Sequence, residues 1–173
     1  TQPLVLVETP CGVVDEGFMV FLKFSLLISF AEQIHNAGFT LFGSITHYIA
    51  LALDSKRNPF NHETAKWFIG LGRHIPDDLD VLDPEDKFES TKWAGFEFLR
   101  EIDVVESYAV PDGEYSRKRM IDHYKLAFKP SIIMFAMLCD VEIRVDVVPR
   151  DKICVDAYDF DVNTLMFSKT GLT

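Results

Sequence analysis

The chain has 173 residues, of which 48% are hydrophobic, 13% aromatic and 25% charged, the composition of one ordinary globular domain. Its 27 acidic and 17 basic residues give a net charge of -10, which excludes binding to nucleic acid or anionic lipid through the average surface charge. Three cysteines (Cys11, Cys139 and Cys154) are too few and too scattered for a disulfide framework or a paired-cysteine zinc site. Residues 1–17 carry three acids and no base, so no secretory signal is expected and the protein is predicted not to be secreted.

An apolar stretch comes first in the chain. It consists of Leu4, Val5, Leu6 and Val7, between two prolines, and predicts that residues 1–14 form an extended arm. Residues 18–30 place a large apolar side chain at every second position, with Lys23 among the alternate ones, a pattern typical of a β-strand. No linker or repeat divides the remaining residues, 15–173, so they are expected to form one domain.

Two helices are predicted next. Thr40 is a suitable N-cap for a helix over residues 41–53, in which apolar side chains recur at helical spacing. Asn61 can cap a second helix that ends at Gly70 or Gly72. The connection between the helices is short enough for them to pack side by side.

The rest of the chain predicts β-structure interrupted by an acidic segment. Residues 76–86 hold six acids in eleven positions, do not match an EF-hand loop and are expected to form a solvated loop. Strands are predicted over residues 93–105, 141–147 and 153–158. Residues 114–128 fit a helix or a strand equally well. The sequence therefore predicts a single α+β domain in which two or three helices pack against an antiparallel sheet.

No arrangement of side chains in the sequence predicts catalysis or metal binding. The five histidines, which are His35, His47, His62, His74 and His123, include no pair at the i, i+4 spacing that would place two ligands on one helix face. The glycines at positions 70 and 72 lack the lysine of a phosphate-binding loop. No catalytic residue, metal ligand or cofactor is therefore assigned, and the protein is expected not to be an enzyme.

Basic residues are concentrated in one segment, which we call the basic patch. It comprises Arg117, Lys118, Arg119, Lys125 and Lys129; these five bases and one acid give +4 within 13 residues, against -14 for the remaining chain. The patch could contact lipid phosphates, an RNA backbone or an acidic surface of a neighbouring copy. Because it lacks the interleaved aromatic residues of single-strand binders, a solvated strand or helix face is the alternative interpretation.

The order of elements and two stretches of sequence carry a family resemblance. Residues 56–72 contain a basic-Pro-Phe connector and the glycine-rich end of the second helix, and in residues 129–151 a Lys-Pro step leads to the alternating strand. Over residues 18–160 the chain resembles the globular core of rhabdovirus matrix proteins. Such a protein is a non-enzymatic structural protein of the virion. It self-associates and bridges the viral nucleocapsid and the inner membrane leaflet during assembly and budding.

The resemblance also implies partners and a location. The apolar arm, Leu4 to Val7, would engage a neighbouring copy of the chain, and no sequence-specific nucleic acid is implied. The protein would be found in the virion and in the host cytoplasm or at the inner face of the membrane. These properties are expectations from the resemblance, since composition and spacing alone do not give them.

Two other functions stay open from the residues. A cone-shaped curved sheet with an aromatic pocket could bind a small molecule or run acid–base chemistry from a buried Asp–His pair that includes His47 or His123. A closed cavity of about 300 Å³ or more with acids of perturbed pKa would favour this alternative. The third function is that of an acidic protein that masks a basic partner, which salt-sensitive binding would support.

Overall fold

The structure is a computed structural model that describes residues 5–9, 12–83, 85–112, 117–131, 141–149 and 165–173. The helices within these residues are α1 (Glu16–Asn36), α2 (Ser44–Asp54) and α3 (His62–Gly70). The strands are β1 (Leu6–Thr9), β2 (Gly12–Asp15), β3 (Thr40–Phe42), β4 (Asp78–Asp83), β5 (Phe96–Asp112), β6 (Arg117–Pro130), β7 (Ile143–Pro149), β8 (Met166–Ser168) and β9 (Gly171–Leu172).

Seven of the described strands form one mixed sheet in the order β5-β6-β7-β4-β3-β8-β9. Its neighbouring strands are antiparallel, except that β4 and β7 run parallel. In this parallel pair Asp80 lies opposite Asp146. The strands β1 and β2 form a separate antiparallel hairpin. The predicted fold class, a single α+β domain with two or three helices packed against an antiparallel sheet, is confirmed, and the parallel pair of β4 and β7 makes the described sheet mixed.

The prediction of a strand over residues 18–30 was wrong, because this segment belongs to α1. The Asp15 carboxylate caps the helix by accepting a hydrogen bond from the backbone N–H of Phe18, over 3.3 Å. The buried side chains of α1 include Phe24, Ile28 and Ala31, whose spacing of three and four residues is helical. A helix that is apolar almost all round has no polar face to mark its period, so the alternation of large apolar residues was coincidental.

By length and composition, α1 is the one helix in the described part of the chain that could cross a membrane. Half of its most apolar 18-residue window is buried inside the domain. The ring of Phe24 packs against Tyr48 of α2 and Phe68 of α3, with centroids 4.8 and 5.8 Å away. These contacts are those of a core helix, which passes the same test of length and composition.

The predicted helix over residues 41–53 is a short strand followed by α2. Thr40 begins β3 rather than capping a helix, and α2 starts only at Ser44. Gly43 separates the two elements with φ 78°, a conformation that glycine adopts without a steric penalty. The prediction for α3 is confirmed, since the Asn61 side chain accepts a hydrogen bond from the backbone N–H of Glu63 over 3.0 Å.

The prediction of a solvated loop over residues 76–86 was also wrong, because this segment contains β4, a strand in the interior of the sheet. Its side chains alternate between half-buried and buried positions, with Leu79, Val81 and Asp83 buried. Acids at every second position of a strand lie on one face, so a strand can be acidic on one side and still contribute to the core. Counting acids over the segment does not reveal this alternation.

The second half of the chain largely confirms the predicted β-structure. The strand predicted over residues 93–105 is β5 and extends further, and the strand over 141–147 is β7 with Ile143, Val145 and Val147 buried. Much of the ambiguous segment 114–128 is strand β6, which pairs with β5 on one side and β7 on the other. The strand predicted over 153–158 lies outside the described residues, as do the three cysteines.

The Asp83 side chain is hydrogen-bonded to the backbone of the segment that follows β4. This side chain is 2% exposed and accepts hydrogen bonds from the backbone N–H groups of Lys87 and Phe88, both over 2.9 Å. We expect Asp83→Ala to lower the free energy of unfolding by about 2–4 kcal/mol, because two N–H groups lose a charged acceptor. Urea denaturation measures this loss. The exposed Asp77→Ala is the control, expected to change stability by less than about 0.5 kcal/mol; a similar effect of both substitutions would contradict the assignment.

Candidate active site

The sheet brings three aspartates together on the face of β4 and β7 that is opposite to the core residues Leu79 and Val145. Leu79 belongs to the hydrophobic core, so its neighbours Asp78 and Asp80 lie on the other face of β4. Asp146 of β7 lies opposite Asp80 in the parallel register, and Lys125 of β6 lies opposite Asp146. We call Asp78, Asp80 and Asp146 the carboxylate cluster.

The turn between β3 and α2 runs directly against this cluster. A Cβ atom at Gly43 would overlap the Asp80 carboxylate and lie 2.9 Å from its Cγ, closer than Cβ atoms approach other atoms in proteins. Glycine is therefore needed at position 43 both for its backbone conformation and for this close approach. Among the described residues no side chain caps α2, and the first turn of this helix contains no acid. The partial positive charge at the start of the helix thus lies beside Asp80.

Burial raises the pKa of Asp80, and the neighbouring charges of Asp78 and Asp146 raise it further. A hydrogen bond with Asp146 adds to the effect, Lys125 opposes it, and the result is a pKa of about 8. Burial also raises the pKa of Asp78, and the charge of Asp146 contributes in the same direction. Asp80 therefore keeps its proton near neutral pH, within hydrogen-bonding reach of Asp146, and a cation can take the place of that proton.

The raised pKa of Asp80 predicts that the metal-free protein loses stability as pH rises. The ordinary pKa of the group is 3.8, so between that value and about 8 the folded protein keeps a proton that the unfolded chain releases. This contribution to stability is fully present below the lower pKa and is lost as pH rises through the upper one. Urea denaturation in EDTA at pH 6.5 and 8.5 should show a decline in the wild type and a smaller decline in Asp80→Asn. Equal declines in the two proteins would contradict the assignment.

The carboxylate cluster offers ligands for a divalent cation. Among the described residues, no three His, Cys, Asp or Glu side chains already form a metal-binding group. Mg²⁺ does not need such a group, because it keeps several waters and takes one or two protein carboxylates together with substrate phosphate oxygens. Asp80 and Asp146 supply two carboxylates within hydrogen-bonding reach of each other. Lys125 and Arg144 act electrostatically on the same cluster, lowering the pKa of Asp78, and add positive charge.

The predicted self-association arm forms one side of the N-terminal hairpin. Leu4 lies outside the described residues, Val7 is half-buried, and Val5 and Leu6 are 48% and 59% exposed. Val13 on the opposite strand and Phe18 at the start of α1 are also exposed, at 59% and 50%. We call Val5, Leu6, Val13 and Phe18 the hairpin patch.

The structure describes the side chains of only two residues of the predicted basic patch. Arg117, Lys118 and Arg119 lie in β6, but their side chains are outside the described part. Lys125 lies beside the carboxylate cluster, and Lys129 forms an ion pair with Glu97, with Nζ 3.7 Å from Oε2. At these two positions the positive charge faces carboxylates of the same chain.

The histidines do not form an Asp–His pair in the described part of the chain. His47 is exposed on α2, and the side chain of His123 lies outside the description. His35 stacks on Phe167 with ring centroids 4.2 Å apart, and burial lowers its pKa. His35 is half-buried, and its ring contacts are those of a packed side chain.

Sequence reasoning missed the carboxylate cluster and Gly43. Two signals were present, the alternating Asp78-Leu79-Asp80-Val81 run and an apolar strand that ends in Gly43-Ser44 just before a helix. The first signal was read as part of an acidic loop, and the second was absorbed into a helix that was predicted to begin too early. The partnership of Asp80 with Asp146 depends on the parallel register of β4 and β7, which no local pattern encodes.

Comparisons with known proteins provide no relative from which a function could be transferred. No protein-family model matches the chain. No curated protein and no solved structure matches it either. The functional interpretation therefore depends on the geometry of the carboxylate cluster and of the turn at Gly43.

Proposed function

We propose that this protein transfers a phosphoryl or nucleotidyl group from a nucleoside triphosphate to a hydroxyl acceptor, using Mg²⁺ held by Asp80 and Asp146. The observation that carries the proposal is the contact between the Asp80 carboxylate and Gly43 at the start of α2. It places ligands for a cation directly beside a helix N-terminus, which favours an anion. A nucleoside triphosphate with its metal ion needs a binding site for a cation and a binding site for an anion side by side.

The chemistry of phosphorus transfer suits such a site because it requires mainly positioning and charge stabilisation. The acceptor oxygen bonds to phosphorus while the bond to the leaving group breaks. The leaving group is diphosphate in nucleotidyl transfer and a nucleoside diphosphate in phosphoryl transfer. The acceptor proton passes to Asp78 or to water. Mg²⁺ held by Asp80 and Asp146 would neutralise charge on the phosphate oxygens, and Lys125 and Arg144 would add to this stabilisation.

The raised pKa values of Asp78 and Asp80 support the proposal. Three aspartates that act electrostatically on one another weaken the folded state. Groups with strongly perturbed pKa values concentrate at functional sites. A bound cation would relieve the repulsion that the fold otherwise maintains.

Calorimetric titration with ATP in the presence and absence of Mg²⁺ tests the proposal. We expect binding only with Mg²⁺, and at least about tenfold weaker binding by Asp146→Asn, the equivalent of about 1.4 kcal/mol. Asp77→Asn is the matched control, because Asp77 is exposed and next to the cluster in sequence. ATP labelled at the α- or the γ-phosphate, offered with RNA and with small alcohols, then distinguishes nucleotidyl from phosphoryl transfer. Metal-independent binding, or binding unchanged in Asp146→Asn, would refute the proposal.

Self-association is a second candidate function, favoured by the hairpin patch. The four apolar side chains of this patch are about half exposed, and β1 and β2 pair only with each other among the described strands. Exposed apolar strands with open edges pair readily with another chain. We propose a second copy of the chain as the occupant, as the resemblance to rhabdovirus matrix proteins implies. That resemblance depended in part on a strand over residues 18–30, and this segment is helical.

Light scattering across a concentration series tests self-association. The wild type should form dimers or larger assemblies, and Leu6→Ser with Val13→Ser should remain monomeric. Leu53→Ser is the control, because Leu53 is a similarly exposed apolar residue on α2, away from the hairpin. A monomeric wild type, or equal effects of the hairpin and control substitutions, would refute this role.

A further inference from the structure

A cavity of about 600 Å³ opens between the segment that follows β4 and the strands β5 and β6. No residue of the carboxylate cluster lines it. Its volume lies within the range of about 300–1,000 Å³ that is typical of small-molecule sites. The cavity is therefore a separate feature, and its lining indicates what it would hold.

Aromatic rings form the floor and one wall of this cavity. Phe88, Phe96 and Phe128 are buried beneath it, and Phe88 lies 6.0 Å from Phe128 and 5.1 Å from Trp93 between ring centroids. Phe98 meets Phe128 edge to face at 5.8 Å and is 58% exposed. Because these rings pack against one another, the floor of the cavity is formed without a ligand. The exposed ring of Phe98 leaves apolar surface in contact with water.

Carboxylates predominate among the charged residues of the lining. Among the described residues they are Glu89, Glu97 and Glu101, against the single cation Lys92. Lys129 lies outside the lining but pairs with Glu97 at 3.7 Å, which leaves Glu89 and Glu101 to set the sign of the charge. Negative charge at the edge of an aromatic cavity attracts cations, and the faces of the rings attract them as well.

The segment that contains Trp93 is hydrogen-bonded to α1. The Gln33 side chain donates a hydrogen bond from Nε2 to the backbone oxygen of Ala94 over 2.5 Å, and its Oε1 accepts one from the Ala94 N–H over 2.8 Å. The indole Nε1 of Trp93 is buried and has no hydrogen-bond partner among the described residues. The cavity wall is thus held in place by α1, which reduces the ordering that a ligand would have to impose.

We propose that this cavity binds an organic cation, an ammonium or guanidinium group carried on an aromatic or aliphatic body. The apolar body would occupy the space over Phe96 and Phe128, and the cationic group would lie near Glu89 and Glu101. Because no residue is shared with the carboxylate cluster, this proposal stands or falls independently of phosphoryl transfer. Its ligand is a small organic cation whose charged group is carried on an apolar stem.

Three soluble probes of similar shape test the role of charge: 2-phenylethylammonium, 2-phenylethanol and 3-phenylpropanoate. In Trp67→Phe, Trp93 is the remaining tryptophan, and its fluorescence reports binding. We expect the ammonium to bind at least about fivefold more tightly than the alcohol, and the carboxylate to bind most weakly. Saturation-transfer NMR of the unmodified protein gives the same ranking without relying on the variant. Equal affinity for the ammonium and the alcohol, or no binding of the ammonium, would overturn the proposal.

Substitutions locate the binding in the cavity. Phe98→Ala and Glu101→Gln should each weaken binding of 2-phenylethylammonium by at least about threefold. Leu99→Ala is the matched control, because Leu99 is a neighbouring exposed apolar residue that does not line the cavity. Glu101→Gln should leave the affinity for 2-phenylethanol unchanged. A loss in Leu99→Ala equal to that in Phe98→Ala, or no loss in Phe98→Ala, would place the binding elsewhere and overturn the proposal.

Discussion

Replacing Asp80 with Asn should abolish Mg²⁺-dependent ATP binding and, at the same time, make the metal-free protein more stable. Asn has nearly the same shape and can still hydrogen-bond to Asp146, but it brings no negative charge into a buried site. Since the pKa of Asp80 is raised to about 8, we expect a gain at pH 8.5 of at least about 1.4 kcal/mol, the equivalent of one pKa unit. Urea denaturation in EDTA measures the gain, and calorimetric titration measures the binding.

Asp83→Asn is the matched control, because Asp83 is another aspartate of β4 and is buried where Asp80 is half-buried. Its carboxylate accepts two backbone N–H hydrogen bonds, both over 2.9 Å, so its negative charge is satisfied. An amide can accept through only one of its two terminal atoms, and Asp83→Asn should therefore destabilise the protein by about 1–3 kcal/mol. The two substitutions should thus shift stability in opposite directions. A destabilised Asp80→Asn that still binds ATP would contradict the assignment.

Gly43→Ala should be among the most damaging single substitutions in the domain. The added methyl group would meet the Asp80 carboxylate, and alanine would also have to adopt φ 78°. We expect a loss of about 3 kcal/mol or more, from strain of about 1–3 kcal/mol in the backbone and from displacement of a packed side chain. ATP binding should disappear with it. Urea denaturation and calorimetry provide the measurements.

Gly38→Ala separates the effect of backbone strain from the effect of the contact with Asp80. Gly38 has φ 97°, but a Cβ atom there would have no neighbour within 4 Å in the part of the chain that the structure describes. It should therefore lose only the backbone contribution of about 1–3 kcal/mol. Adding Asp80→Ala to Gly43→Ala removes the group with which the methyl collides and should recover part of the lost stability. Equal losses in Gly38→Ala and Gly43→Ala, with no recovery in the double variant, would refute the close contact.

The fold class could be predicted from the sequence where one periodicity dominated. The alternation at Ile143, Val145 and Val147 gave β7 correctly, and Asn61 marked the start of α3 because its side chain caps the first turn. α1 could not be identified in this way, since a helix that is apolar on nearly every side lacks an amphipathic pattern. Its cap, Asp15, was a local signal for the helix that the alternating apolar residues outweighed.

The candidate site was harder to predict because long-range pairing creates it. In the sequence, Asp78 and Asp80 were visible only as members of an acidic segment. That they lie together on one face of β4 follows from the burial of Leu79 and Val81 on the other face. Asp146 stood in a correctly predicted strand, but its neighbour across the sheet was unknown. The register of β4 against β7, together with the turn at Gly43, converts separate acids into one cluster.

We propose that the carboxylates of Asp80 and Asp146 together hold the metal ion of a bound nucleoside triphosphate. Anomalous diffraction from crystals grown with Mn²⁺ and a non-hydrolysable ATP analogue tests it most directly, because Mn²⁺ accepts the same oxygen ligands as Mg²⁺. We predict an anomalous peak between the two carboxylates, about 2.0–2.3 Å from an oxygen of each, with phosphate oxygens completing the coordination near Gly43. Nucleotide bound with its metal elsewhere, or these two carboxylates still hydrogen-bonded to each other beside a bound nucleotide, would contradict the claim.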